Sequence, residues 1–312
     1  MLRSEMGDAL DQFRGCLLGL ACGDAVGTTV EFRRRGSFTP VSDMVGGGPF
    51  CLKPGQWTDD TSMALCLAAS LTELGRFDAN DQMTRYVRWW QHGYYSSTGA
   101  CFDIGNTTAS ALSAFDRTGN PFSGPTHERS LGNGSIMRLA PVPLFFYPDY
   151  EQAIAMAGES SRTTHGHPQC VDACRLLAAI LCRLLNGGGK AGVIFRDADH
   201  RWDTPEVIAI AGGSYHALSE DLIQGSGHVI KSLEAALWCF VKTDSFEEAI
   251  LKAANLGDDA DTTAAVCGQI AGAHYGASGI PPRWLEKLSK RDEIEALCDR
   301  LLGASPASPI EE

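Results

Sequence analysis

The sequence predicts an all-α protein built as one compact domain, and three features point there. Apolar residues recur at the three- and four-residue spacing of a helix over most of the chain. Alternating strand patterns are nearly absent. Several helical runs are dense in small residues, as in Gly15, Gly19, Ala21 and Gly23, or Ala264, Ala265, Gly268, Ala271, Gly272 and Ala273. Glycine costs a helix roughly 1 kcal/mol relative to alanine, so this richness makes sense if backbones pack closely around a shared centre.

In chain order the periodic runs are Phe13 to Cys22, Ser62 to Leu74, Asp81 to Trp90, Thr107 to Phe115, Tyr150 to Gly158, Pro168 to Leu185, Val229 to Val241, Phe246 to Leu256, Thr262 to Tyr275 and Asp292 to Leu302. The connections, such as Gly46 to Pro54, Thr118 to Pro125 and Gly187 to Gly192, are rich in Gly, Pro and Asn and read as loops within a domain. Residues 1–12 read as an N-terminal extension, 13–303 as the domain, and the Pro- and Ser-rich stretch 304–312 as a fraying tail.

With 312 residues, 44% of them apolar, the chain can bury a large core. Lys and Arg number 26 against 38 Asp and Glu, a formal charge of -12, so the outer field repels polyanions and nucleic acid is not an expected partner. An anionic ligand must then be held locally, by helix N-termini, backbone N–H groups or bound cations. No apolar leader opens the sequence and no stretch is long enough to cross a bilayer, so no membrane contact and a cytoplasmic location are expected. The eleven cysteines form no C-x-x-C pair, and all but Cys51 lie among apolar neighbours. They read as small buried thiols, with neither a disulfide frame nor a zinc site; the loop setting of Cys51 leaves it open.

Two acidic clusters stand out. Trp57-Thr58-Asp59-Asp60-Thr61 leads directly into the run carrying Met63, Leu65 and Leu67, and Gly257-Asp258-Asp259-Ala260-Asp261-Thr262-Thr263 leads into the small-residue run up to Tyr275. Helix capping and the helix dipole account for one Asp at each entrance. They leave surplus carboxylates that would repel one another unless neutralised. Carboxylate and hydroxyl oxygens without His or Cys suit Mg²⁺ or Mn²⁺ better than Zn²⁺, and neither loop has the spacing of an EF-hand.

These residues and their order resemble the ADP-ribosylglycohydrolase family, over about Phe13 to Ala277. The pieces are Gly15 to Gly19 with Gly23-Asp24-Ala25-Val26-Gly27 and Glu31, then Thr58 to Thr61, then Gly132-Asn133-Gly134-Ser135 with Met137-Arg138, then Asp259 to Thr263. Cys101-Phe102-Asp103-Ile104-Gly105-Asn106-Thr107-Thr108 is similar to the bacterial dinitrogenase reductase-activating branch, whose members act on ADP-ribosyl-arginine. The resemblance implies an all-α fold with two Mg²⁺ or Mn²⁺ ions in a cleft, bound by Thr58, Asp59, Asp60, Asp259, Asp261 and Thr262. It implies Glu31 beside the ions and substrate contacts from Asn106, Gly132, Asn133, Gly134, Ser135, Met137, His165 and His228.

Taken alone, Gly132 to Ser135 is an ordinary turn, and its place in the family order makes it a candidate wrap for a diphosphate. His165 follows Thr164 in a loop where relatives carry a Thr-His pair near the ligand. His228 stands where relatives commonly have Tyr, and offers less stacking area to a nucleoside. Arg138 reads equally as a phosphate contact or a structural ion pair. Trp89, Trp90, Tyr94 and Tyr95 read as core or rim packing.

The expected reaction is hydrolysis of the bond between a ribose anomeric carbon and a guanidinium nitrogen of a modified protein. Glu31 and Asp103 are placed on the ribose, where carboxylates stabilise oxocarbenium character, and which of them is the base stays open. Other readings also stay open: hydrolysis of serine-linked, polymeric or O-acetyl-ADP-ribose, or an immunity protein that binds and blocks an ADP-ribosyltransferase.

Overall fold

The computed structural model describes residues 2–195 and 201–304, so the tail expected to fray lies, beyond Ala304, outside the described residues. The described chain holds thirteen α-helices: α1 (Leu2–Gly27), α2 (Asp59–Leu74), α3 (Ala79–His92), α4 (Asn106–Thr118), α5 (Pro141–Phe146), α6 (Tyr150–Arg162), α7 (Pro168–Leu185), α8 (Pro205–Ala211), α9 (Val229–Val241), α10 (Phe246–Ala254), α11 (Ala260–Tyr275), α12 (Pro282–Lys287) and α13 (Arg291–Gly303). No strand forms among the described residues, only the isolated bridges Gly47 to Leu52 and Gly132 to His228. The all-α reading is correct.

Helices α7 and α9 begin and end where the periodicity puts them. Others differ in instructive ways. Helix α1 begins at Leu2, well ahead of Phe13, because its charged first turns carry no apolar period. Helices α5, α8 and α12 each open on a proline in the first turn and are too short to display one. Helices α2 and α11 start at Asp59 and Ala260, so both acidic clusters straddle a helix start: Asp59 and Asp60 lie in the first turn of α2, and Asp261 in that of α11 with Asp259 at its N-cap.

The centre of the molecule is the antiparallel pair α1 and α11. A methyl group on Gly19 would collide with the Gly268 carbonyl, one on Gly268 with the Gly19 carbonyl, and Gly15 and Gly272 oppose each other in the same way. Gly23 faces Ala264 and Gly27 faces Ala260, completing a stripe of four-residue steps along both helices. The small residues thus let two backbones touch, and they fix the register. Every residue of α11 from Ala260 to Ala273 is buried; beyond the polar first turn, small and apolar residues occupy every face of the helix save at Gln269.

A second, smaller core joins Met63 and Cys66 of α2, Met83, Tyr86 and Trp89 of α3, Ala111 and Leu112 of α4, and Met137. Trp89 is core, and Trp90, Tyr94 and Tyr95 pack partly buried against it. All eleven cysteines are free. Nine are buried and Cys51 is exposed, while Cys101, expected to be buried, is only half so because it lies in the loop beside the cleft.

Candidate metal centre and cleft

The α1–α11 register brings the C-terminal turn of α1 beside the N-terminal turn of α11, and the start of α2 meets both. Thr58 stands at the N-cap of α2 but makes no side-chain cap. Its hydroxyl bonds to Asp24 Oδ1 at 2.9 Å and also lies 3.3 Å from Asp60 Oδ2 and Asp261 Oδ2. The cap comes instead from α1: Asp24 accepts from Thr58 N at 2.9 Å, Thr61 N at 3.0 Å and Thr61 Oγ1 at 2.6 Å. Asp259 likewise sits at the N-cap of α11 without capping it, and its Oδ2 accepts from Asn133 Nδ2 at 2.7 Å. Local capping therefore explains neither cluster, and the carboxylates are free to face one another.

They converge on Asp261. Oxygen atoms of Asp24, Asp60 and Asp261, of Glu31, Asp259 and Asp261, and of Asp59, Asp103 and Asp261 form three groups, each with its atoms within 4.8 Å of one another. Oδ1 of Asp60 and of Asp261 are buried with no hydrogen-bond partner. Buried acceptors without donors are costly, and an all-oxygen set of this density suits a hard divalent cation. The residues present therefore fit metal ions.

The electrostatics agree. Burial first, and then neighbouring carboxylates, push Asp59, Asp60 and Asp261 well above the usual carboxylate range. Burial and Asp103 raise Glu31 to about 10. Burial raises Asp103 to about 7, and Asp24 to about 6 despite the four bonds from Thr58 and Thr61. Asp259 is raised by burial, with the Asn133 bond opposing. Without a cation, burial and mutual repulsion favour the protonated form of Glu31, Asp59, Asp60 and Asp261, whereas Asp24 keeps its charge near neutral pH through the bonds from Thr58 and Thr61.

A cleft of about 950 Å³ opens over the cluster. Glu31, Asp59, Asp103, Asp259, Asp261 and Thr262 line it, while Thr58 and Asp60 are fully buried and do not. Of the expected substrate contacts, Asn106, Gly132, Asn133, Gly134, Met137, His165 and His228 line it as well. Ser135 does not: its hydroxyl is buried against Ser161 Oγ at 3.0 Å. Within the loop, Asn133 N–H already donates to Gly227 O, so it is committed to holding the loop. His228 uses Nδ1 to accept from Ile230 N, capping α9, which leaves its other ring edge toward the cleft. Arg138 is wholly buried, does not line the cleft and makes no ion pair among the described residues; it is a hydrogen-bonding post, donating to Gly134 O at 2.9 Å and Thr164 Oγ1 at 2.6 Å.

Backbone strain gathers around the cleft. Phe32, Asp103 and Asp258 hold φ of 59°, 60° and 55°, in the left-handed region that side chains disfavour. Reciprocal bonds of 2.7 Å, Phe32 N to Asp258 O and Asp258 N to Arg33 O, tie the segment carrying Glu31 to the one carrying Asp259.

Sequence reasoning missed Asp24 as part of the cluster and the amide of Asn133 as a support for Asp259. It also missed Gln269, whose amide donates to Ile136 O at 3.1 Å and Met137 O at 2.9 Å and so fixes the loop to α11. The available signal was the same for two of them: a lone polar residue within an apolar stretch of helix, Asp24 in residues 15–27 or Gln269 in residues 264–273.

Comparison with known proteins completes the picture. The chain is 46% identical over 300 residues to ADP-ribosylarginine hydrolase Tri1 of Serratia proteamaculans (strain 568), covering 96% of this chain and 81% of that protein. It is 32% identical over 289 residues to the ADP-ribosyl-(dinitrogen reductase) glycohydrolase of Rhodospirillum rubrum, covering 91% and 92%. A solved structure described as an ADP-ribosylglycohydrolase-related protein complex superposes with a TM-score of 0.84 at 41% identity, over 96% of this chain and 99% of that one. The ADP-ribosylglycohydrolase family model matches residues 6–309, and so takes in every acidic segment that meets at Asp261. By that match and those identities the chain belongs to the ADP-ribosylglycohydrolase family.

Proposed function

We propose that this protein hydrolyses the N-glycosidic bond of ADP-ribosyl-arginine on a modified protein, with two Mg²⁺ or Mn²⁺ ions held by Thr58, Asp59, Asp60, Asp259, Asp261 and Thr262. The observation that carries the reading is the convergence of carboxylates on Asp261, with unpartnered oxygens on Asp60 and Asp261, at one wall of a cleft sized for a nucleotide sugar. The likeness to two arginine-directed or dinitrogen reductase-directed relatives supports arginine as the acceptor. Bound cations would neutralise the cluster and supply Lewis acidity to a water and to the ribose hydroxyls.

The chain's own groups do the rest. Glu31 and Asp103 face the cleft, near enough that, beyond burial, the charge of Asp103 raises the pKa of Glu31. Once cations offset the charge of the cluster and this pair ionises, its negative charge stabilises oxocarbenium character at the anomeric carbon, and the pair accepts the proton of the attacking water. The guanidine leaves from a group already cationic, so no strong acid is needed for its departure. Gly132, Gly134, Met137 and His165 bound the part of the cleft that takes the diphosphate, and His228 the nucleoside end. Thiols that are all unpaired support a reducing, cytoplasmic setting. No described helix is long and apolar enough to cross a membrane.

The deciding experiment presents arginine-linked, serine-linked and polymeric ADP-ribose side by side with Mg²⁺, Mn²⁺ or EDTA. The expected result is metal-dependent release of ADP-ribose from the arginine-linked protein, lost in Asp59→Ala and Asp261→Ala. Wild-type turnover in either variant, or undiminished turnover in EDTA, refutes the dimetal assignment. Stoichiometric binding to an ADP-ribosyltransferase in EDTA would instead show a blocking role, independent of hydrolysis.

A further inference from the structure

Behind the cleft wall a chain of polar contacts runs from a buried cation to its edge. Arg138 is wholly buried, its guanidinium 4.6 Å from the centre of the Tyr86 ring. It donates to Gly134 O at 2.9 Å and to Thr164 Oγ1 at 2.6 Å. A guanidinium has only donors, so the Thr164 oxygen must accept there. Its one hydroxyl hydrogen is left for its other polar neighbour, His165 Nδ1, 2.9 Å away. The oxygen's second lone pair would also accept from an Nδ1–H, but the hydroxyl hydrogen would then be buried with no acceptor among the described residues; the arrangement that pairs both groups makes Nδ1 the acceptor and puts the neutral ring's hydrogen on Nε2.

The ring is neutral at ordinary pH, because burial and the Arg138 charge bring its pKa down to about 3. Nε2 has no hydrogen-bond partner among the described residues, and the ring lines the cleft. The cleft loop leaves that edge open only because it is glycine there: a Cβ on Gly134 would sit 2.7 Å from Cε1 and one on Gly132 3.1 Å from Nε2. Arg138 holds both sides of the arrangement, the loop through Gly134 and the imidazole through Thr164.

We infer that Arg138 and Thr164 are positioning residues that lock His165 in the Nε2–H tautomer, a fixed uncharged donor for an oxygen of the bound ADP-ribosyl group. The ligand's identity rests on the proposed function; the tautomer does not. The opposite tautomer would turn a lone pair toward the ligand oxygens and repel them.

The test is nitrogen NMR on protein labelled with ¹⁵N-histidine, the His165 signals being assigned by their loss in His165→Gln, together with ADP-ribose titrations. In the wild type the hydrogen is expected on Nε2, with Nδ1 unprotonated, and Thr164→Ser should keep both that signature and the affinity. Thr164→Val, nearly the same shape without the hydroxyl, should admit an Nδ1–H population and weaken ADP-ribose binding by about three- to tenfold, the worth of one hydrogen bond. A wild-type spectrum with the hydrogen on Nδ1 overturns the inference whatever the variants do. So does a folded Thr164→Val protein with the wild-type signature. An Nε2–H signature in a wild type that binds no ADP-ribose upholds the lock and counts against the proposed ligand.

Discussion

Asn133 shows how a single side chain can serve a site differently from the way its motif suggests. Its amide donates to Asp259 Oδ2 at 2.7 Å and to Ser232 Oγ at 3.2 Å, so it orients a carboxylate of the cluster. Groups that orient ligands in this way typically hold about 10- to 100-fold of metal affinity. Asn133→Ala should therefore weaken Mn²⁺ binding, measured by calorimetry, by about that factor, while the helical circular dichroism stays intact. An Mn²⁺ affinity equal to wild type would remove Asn133 from the support of the site. Ser135, two positions on, is turned the other way and touches Ser161, so Ser135→Ala should leave ADP-ribose affinity within about twofold, the effect of a residue remote from the ligand. A tenfold loss would show that its hydroxyl reaches the ligand after all. Neither direction was written in Gly-Asn-Gly-Ser, because each depends on a partner far along the chain.

At the scale of elements, the fold and the site have the same origin. Helices α1 and α11 touch through glycine, and Asp24, the neighbour of Gly23 in that stripe, is thereby set beside the entrances of α2 and α11. Gly268→Ala tests this coupling because two known effects oppose each other. Alanine raises helix propensity by roughly 1 kcal/mol, but the added methyl meets the Gly19 carbonyl, and overpacking costs about 1–3 kcal/mol. The clash should win, lowering the denaturant midpoint, and the displaced register should weaken Mn²⁺ binding as well. A Gly268→Ala protein more stable than wild type would mean that the helices do not touch as described. The stripe itself was legible in the sequence; the short helices α5, α8 and α12 were not. Six or seven residues span fewer than two turns, too few for a period to appear.

For the whole molecule, the buried carboxylates make stability depend jointly on pH and cations. An acid with a higher pKa folded than unfolded contributes stability below its unfolded value and loses it as pH rises toward the folded one. Glu31 rises from 4.5 to about 10, Asp103 from 3.8 to about 7 and Asp24 from 3.8 to about 6. In chelator the melting temperature should therefore fall as pH climbs through this window. Divalent ions bind the deprotonated cluster and reverse the loss, so the shift produced by Mn²⁺ should be larger near about pH 8 than near about pH 5. A shift no larger at the higher pH would contradict the cluster as the binding site. By itself the sequence determined the helical class, the small-residue stripes and the two carboxylate-rich helix entrances, because periodicity and local composition are properties of neighbours. Only the tertiary structure decided that Asp60 and Thr262, 202 positions apart, lie in contact, and that Asp24 caps α2 from α1. Those contacts exist because close packing of α1 on α11 fixes which distant residues share a few ångströms of buried space, and no window of sequence contains both partners.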